Sequence, residues 1–321
     1  MLRPLLIVSI LAIGLVVLGA GAVRGQDYPT KPIRIVTGSA GGGQDFATRI
    51  IAQGISGSLG QPVIVDNRGG SGIIAAEIVA KAPPDGYTLL VAASPHWILP
   101  LLQDQVPYDP VKDFSPVTLA LRLPNLIVVH PSLPANSVKE LIALAKARPA
   151  ALNYGSSGTG ASTHLAAELF KAMAGVNLVR VPYKGGGPAL NALLGGEVQV
   201  WFPNVAAAAP HVRSGKLRAL AVTSTAPSAL SPGLPTVAAS LPGYEAVSMI
   251  GIFAQAKAPA AIINRINQEI VRVLNTAEVR ERLLSTGVEP VGGSPKEFAA
   301  AVKSEMAKWG KVIRDAGIRE Q

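Results

Sequence analysis

Cysteine is absent from the chain, which excludes disulfides, thiolate metal sites, a cysteine nucleophile and lipid attachment through an N-terminal cysteine. Charge is sparse at 15% of residues, and aromatic side chains make up only 5%. The basic residues are dispersed and no aromatic platform accompanies them, so no nucleic-acid partner is expected despite a formal charge of +9. Histidine is scarce too: the four are His96, His130, His164 and His211. No H-x-x-x-H pair and no carboxylate cluster at ligand spacing occurs, so neither a metal nor a metal-dependent cofactor is expected. Apolar runs approaching the ~20 residues of a spanning helix are missing beyond the N-terminus.

What the chain does contain is glycine and proline, 33 and 26 in 321 residues, with 49% hydrophobic residues. That is a turn-rich globular protein of one large or two ordinary domains. Arg3, an apolar run at 5–18 and small residues at 19–25 read as a secretory signal peptide, 1–25, cut between Ala22 and Gln26. An uncleaved membrane anchor is the alternative. Loss of Arg3 and Arg24 leaves 27 basic against 20 acidic residues, a field of +7 that favours anionic ligands.

Strand and helix patterns alternate from there. A strand at 32–36 meets the loop Gly38-Ser39-Ala40-Gly41-Gly42-Gly43-Gln44-Asp45, and a helix at 47–59 carries Ile50, Ile51, Ile55 and Leu59 on one face. Strands at 63–65 and 87–92 bracket a helix at 73–82, which predicts a parallel sheet flanked by helices. Residues 94–123 hold five prolines and read as a loop-rich crossing. A second α/β series begins at Leu126, with a capping box at Ser137 and Glu140. It continues through the loop Asn153-Tyr154-Gly155-Ser156-Ser157-Gly158-Thr159-Gly160-Ala161-Ser162-Thr163-His164 into an apolar-periodic helix. A last strand at 249–254 and long helices over 259–284 and after Ser294 close the chain.

Three catalytic chemistries can be weighed. Gly70-Ser71-Gly72-Ile73-Ile74-Ala75 fits a dinucleotide turn, but the following strand ends Val91-Ala92-Ala93-Ser94 without the acidic residue that holds a ribose. Gly155-Ser156-Ser157-Gly158-Thr159 resembles a nucleophile elbow with its last glycine missing; His164 could reach Ser157, though no Asp orients it. Metal catalysis lacks ligands. The remaining possibility is binding without chemistry. Two small-residue loops at helix N-termini, facing each other across a cleft, can hold a carboxylate through backbone N–H groups and the hydroxyls of Ser39, Ser157 and Thr159. Asp45 either caps its own helix or accepts a hydrogen bond from the ligand.

Taken in order, Tyr28-Pro29-x-Lys31-Pro32-Ile33, Gly42-Gly43-x-Asp45, Leu59-Gly60-Gln61-Pro62-Val63 and Asp66-Asn67-Arg68 form a pattern. Pro84-Asp85-Gly86-Tyr87-Thr88-Leu89, Tyr108-Asp109-Pro110-Val111-Lys112-Asp113-Phe114 and Asn153-Tyr154-Gly155-Ser156-Ser157-Gly158 extend it. Val181-Pro182-Tyr183-Lys184-Gly185 and Leu193-Leu194-Gly195-Gly196 complete it. The chain thereby resembles the extracytoplasmic substrate-binding proteins of tripartite tricarboxylate transporters, the Bug or TctC-like family.

The resemblance implies an α/β, two-lobed Venus-flytrap periplasmic binding protein of type II, with a parallel-type sheet in each lobe. It implies lobe 1 from 26–123 plus 249–321 and lobe 2 from 124–248. No catalysis and no cofactor are implied. The protein would act as a periplasmic monomer that captures a small organic carboxylate and delivers it to a separate membrane permease. The site it implies comprises Ser39, Ala40, Gly41, Gly42 and Asp45 on the first loop and Ser94 after the third strand. From the second loop and its helix come Ser157, Gly158, Thr159, Ser162 and His164, and Lys184 from a third loop. Family acids and an aromatic are replaced at Ala192, Pro203, Ala239 and Met249, which should alter the ligand's distal end. A secreted hydrolase using Ser157 and His164, or a receptor feeding a membrane sensor, are the alternatives.

Overall fold

The computed structural model of the chain describes residues 28–38, 40, 43–68 and 72–319; the expected signal segment 1–25 lies outside them. Two sheets are present, each covered by helices on both faces, in a two-lobed α/β architecture.

The first sheet opens with β1 (Ile33–Thr37), whose Ile33, Ile35 and Val36 are fully buried. The helix α1 (Gly43–Leu59) buries Ala47, Ile50, Ile51, Ile55 and Leu59 at helical spacing. It stops at Gly60, φ +66°, two residues before Pro62. Then come β2 (Val63–Asn67), α2 (Ile73–Ala80) and β3 (Thr88–Ala93), with β1 parallel to both strands. The segment expected to be a loop-rich crossing instead contains α3 (Pro95–Leu102) and the long β4 (Phe114–Pro124). Its prolines sit where the backbone tolerates them. Pro95 starts α3, where a missing N–H costs nothing, and Pro116 sits at a shift in the β4 register.

The second sheet is built from β5 (Leu126–Val129), β6 (Asn153–Ser156), β7 (Val179–Pro182), β8 (Val200–Trp201) and β9 (Arg218–Val222). Its helices are α4 (Val138–Ala147), α5 (Ser162–Ala174), α6 (Gly186–Leu194) and α7 (Val205–Arg213). The chain then returns through β10 (Val247–Gln255) to the first sheet. It ends with α8 (Ala260–Leu274), α9 (Ala277–Ser285), β11 (Glu289–Pro290) and α10 (Pro295–Asp315). The single helix expected over 259–284 is thus two. Thr276 takes extended backbone, φ −71° and ψ 141°, and starts the second.

The strand orders are β11-β4-β10-β3-β1-β2 and β7-β6-β8-β5-β9. Both sheets are mixed: β10 is antiparallel to β3 and β4, and β5 to β8 and β9. Consecutive strands β4 and β5 belong to different sheets, so Asn125 connects the two; its N–H donates to the Thr223 hydroxyl at 2.8 Å. A second bridge is α10, which opens with the Ser294–Glu297 capping box and packs on both α3 and α5. Trp309, Val312 and Ile313 of α10 share one buried cluster with Trp97 and Ile98 of α3 and Leu165 and Leu169 of α5.

Candidate functional site

A cavity of about 500 Å³ lies between the two lobes. Four helix N-termini contribute to its wall. They supply Gln44 from α1, Ser94 and Pro95 from α3, Gly160 to Ser162 from α5, and Asn204 and Ala206 from α7. The leading N–H groups of a helix have no partner within it and carry partial positive charge. The rest of the wall is largely apolar, with Ile98, Leu165, Val288 and Trp309 among its residues.

These termini differ in what is already satisfied. In α7 the Asn204 side chain accepts the Ala207 N–H at 2.9 Å. In α3, Pro95 has no N–H, and the N–H groups of Trp97 and Ile98 both reach the Ser94 carbonyl, at 3.2 and 3.1 Å. The Ser94 hydroxyl is itself engaged, accepting the Met249 N–H at 2.9 Å. The helix α5 differs in its cap residue. Its N-cap is Ala161, in cap geometry at φ −63° and ψ 155° but with no acceptor on its side chain, and no side chain caps the first turn. The N–H groups of His164 and Leu165 both reach the Ala161 carbonyl at 2.9 Å, as in α3, which leaves those of Ser162 and Thr163 for an external anion, with Ser162 on the cavity wall.

Glycines hold the lobes together on either flank. Gly160, φ +70°, lies against α3, where a Cβ would sit 2.4 Å from Leu102 Cδ1. Gly287, φ +79°, lies against α7, where a Cβ would sit 2.7 Å from that of Ala206. A larger residue at Gly287 would press on the Ala206 backbone, whereas one at Gly160 would displace the end of the Leu102 side chain.

Of the residues expected from the sequence, Ser94 and Ser162 line this cavity. Ser39, Gly41 and Gly42 lie outside the described residues, and Ala40 is exposed. Asp45 is buried but not on the wall; its carboxylate meets Arg49 Nε at 3.1 Å and Asn67 Nδ2 at 2.9 Å. That matched charge lets a carboxylate sit in the first turn of α1, where the helix dipole also favours it. Ser157, Gly158, Thr159, His164 and Lys184 do not line the cavity. The Ser157 hydroxyl bonds that of Thr163 at 2.8 Å, tying the loop to its helix. Arg180 Nη2 donates to the Thr159 hydroxyl at 3.2 Å, and Lys184 is exposed on its own loop.

His164 is 3% exposed. Its Nδ1 accepts the Gly160 N–H at 3.2 Å, and its Nε2 lies 4.0 Å from the Glu168 carboxylate. Burial, with the Arg180 charge adding to it, pushes its pKa down to about 4, so the ring is neutral at physiological pH. Ser157 thus bonds Thr163 and His164 bonds Gly160, and the dyad expected of a hydrolase is not assembled.

Sequence reasoning missed Ala161, Gln44, Asn204 and Trp309. Asn204, directly before an apolar run, carries an N-cap signal. Ala161 carried none, because Ser162 and Thr163 are better cap residues and blur where the helix starts.

Residues 47–318 match the tripartite tricarboxylate transporter family receptor, TctC. The chain belongs to this family. Protein BugT of Bordetella pertussis is 35% identical to it over 305 residues, covering 94% of each chain. Among solved structures, Rpa4515 of R. palustris with adipate is 40% identical, with a TM-score of 0.75 over 91% of this chain and 99% of that one. MatC (Rpa3494) from Rhodopseudomonas palustris with bound malate is 30% identical, with a TM-score of 0.70 over 89% of this chain and all of the other. As a receptor-family member the chain shares the two-lobed binding-protein fold with these structures.

Proposed function

We propose that this TctC receptor is an exported, non-enzymatic binding protein that captures a small organic carboxylate between its lobes and presents it to membrane permease subunits. The observation that carries this reading is the uncapped N-terminus of α5 opening onto the interlobe cavity. A carboxylate there takes the place of the missing cap and is held by N–H groups and the dipole. The glycine loop before α1 grips it from the other lobe. The adipate and malate held by relatives support a carboxylate as cargo.

In this reading the lobes divide at 26–123 plus 249–321 and 124–248, and ligand capture closes them about the strands at Asn125 and β10. The first 25 residues direct the chain to the periplasm. Ser157 and His164 support the loop and carry out no chemistry, and the protein acts as a monomer.

Thermal unfolding against a panel of mono-, di- and tricarboxylates, amino acids and test esters tests it. A ligand at ~1,000 times its Kd adds about 4 kcal/mol, and at this size each kcal/mol shifts Tm by roughly 2–4 °C. A shift near 10 °C with one class of carboxylate, without turnover of it, is the expected result. Ester cleavage, or no shift with any carboxylate, would overturn the proposal.

A further inference from the structure

We infer that a pocket between α5 and the C-terminal turn of α10 is a second binding site, separate from the interlobe cavity, for a small oxyanion of the sulfate or phosphate class. The pocket holds about 260 Å³, and Thr159, His164, Glu168, Lys171, Arg180 and Arg319 are on its wall. None of these residues lines the interlobe cavity. Three separate elements bring the cations together: Lys171 comes from α5, Arg180 from β7 and Arg319 from the turn that follows α10.

Three cations on this wall face one carboxylate, and that carboxylate is already satisfied. Glu168, 8% exposed, accepts the Tyr154 hydroxyl at 2.5 Å and Lys171 Nζ at 2.8 and 3.0 Å. Arg180 has no such partner. Its Nε donates to the Ser156 hydroxyl at 2.9 Å and its Nη2 to that of Thr159 at 3.2 Å, both neutral, and it makes no ion pair among the described residues. Arg319 Nη1 is 3.8 Å from Asp104, with both side chains exposed, a pairing worth little in water. A part-buried guanidinium that meets only hydroxyls keeps its strongest hydrogen bonds for an oxyanion.

His164 supplies a buried donor without an acceptor. Its ring is 3% exposed and Nδ1 accepts the Gly160 N–H, so in the neutral ring the proton is on Nε2. That N–H lies 4.0 Å from Glu168, beyond hydrogen-bond reach, and has no other partner among the described residues. Gly160 is not on this wall, so the Nε2 side of the ring is the one turned to the pocket. A buried N–H left unmet is costly, and an oxyanion oxygen meets it. The Thr159 hydroxyl, which accepts from Arg180, keeps its own hydrogen to donate. At the end of α10, the carbonyls of Val312, Ile313 and Arg314 already accept the N–H groups of Ala316, Ile318 and Gly317, which blunts their repulsion of an anion. A bound oxyanion would tie β7 and α5 to the last turn of α10.

Inorganic sulfate and inorganic phosphate, titrated into protein produced from the full chain, test this against sodium chloride at equal ionic strength, so that screening is held constant. Saturable heat and a Tm above the chloride reference are the expected results. Arg180→Gln should weaken sulfate at least tenfold, and Arg319→Glu at least threefold. Arg319 is exposed, so its variant decides the matter if the Arg180 variant fails to fold. No saturable binding of either anion, or sulfate affinity unchanged in Arg319→Glu, overturns the inference. Arg319 is off the interlobe cavity wall, so a carboxylate held there should keep its affinity in Arg319→Glu, and the two sites are told apart.

Discussion

Ser157 and Ser162 sit five residues apart in one loop-helix junction, yet their hydroxyls do different work. That of Ser157 is bonded to Thr163, whereas that of Ser162 faces the cavity without a partner among the described residues. Ser162→Ala should weaken carboxylate binding about fivefold, the ~1 kcal/mol of a single net hydrogen bond. Ser157→Ala should leave affinity within about twofold and lower stability by a similar ~1 kcal/mol. Isothermal titration and denaturant melts on the two variants separate the roles, and a larger affinity loss in the Ser157 variant would reverse them.

The buried histidines set a pH dependence at the same scale. Burial holds His96 down to about 3 and His164 down to about 4, against about 6.5 for the unfolded chain. The unfolded state binds more protons in that interval, so the stability these rings contribute is complete above pH ~6.5 and is lost as pH falls toward 4. Each ring adds a slope of at most about 1.4 kcal/mol per pH unit. Tm should drop between pH 7 and 4, and His164→Asn should flatten the fall. A Tm that is level across that range would contradict the burial of these rings as the cause.

Among the elements, β10 and α10 decide how closely the first sheet and its covering helix approach. Gly251 of β10 faces the Phe298 ring so closely that a Cβ would sit 1.9 Å from Cζ. Gly251→Ala should therefore destabilise the fold at the upper end of the 1–3 kcal/mol usual for overpacking, read by chemical denaturation. Gly251→Ala with Phe298→Leu should recover part of that loss. Elements like these show what the sequence makes legible. The 3.6 period of Ile50, Ile51, Ile55 and Leu59 and the Ser294–Glu297 box are local signals, and both appear in the structure where they point. The strand β4 was hidden by its prolines, because a tolerated bulge position is defined by the partner strand β10 and not by β4 itself. The break between α8 and α9 was hidden likewise, since Leu274, Asn275 and Thr276 hold no glycine or proline.

The site divides in the same way. That a glycine-serine loop opens a helix is legible; which of its hydroxyls face outward is not, because Thr163 and Arg180 claim them through tertiary contacts. Ala161 is informative only through what it lacks, which requires knowing where α5 begins.

For the whole molecule, Gly287 of one lobe lies against α7 of the other, at a left-handed φ that side chains adopt at a cost of roughly 1–2 kcal/mol. Gly287→Val should fold but meet Ala206 before the lobes close, so that affinity falls more than tenfold and small-angle scattering shows no compaction on adding ligand. An unchanged affinity would mean that this contact does not limit closure.

The proposed binding mode has a carboxylate serve as the missing cap of α5, and Ala161→Asp tests its place most directly. The substitution supplies the cap from within, with Ala161→Asn as its neutral counterpart. A capping side chain stabilises a helix by about 0.5–2 kcal/mol, so the Asp variant should melt higher than the parent. It should also bind the carboxylate identified by the panel at least tenfold more weakly, by both occupying the site and repelling the anion, with the Asn variant between. If the Asp variant bound that carboxylate as tightly as the parent, the anion would not sit at the α5 terminus.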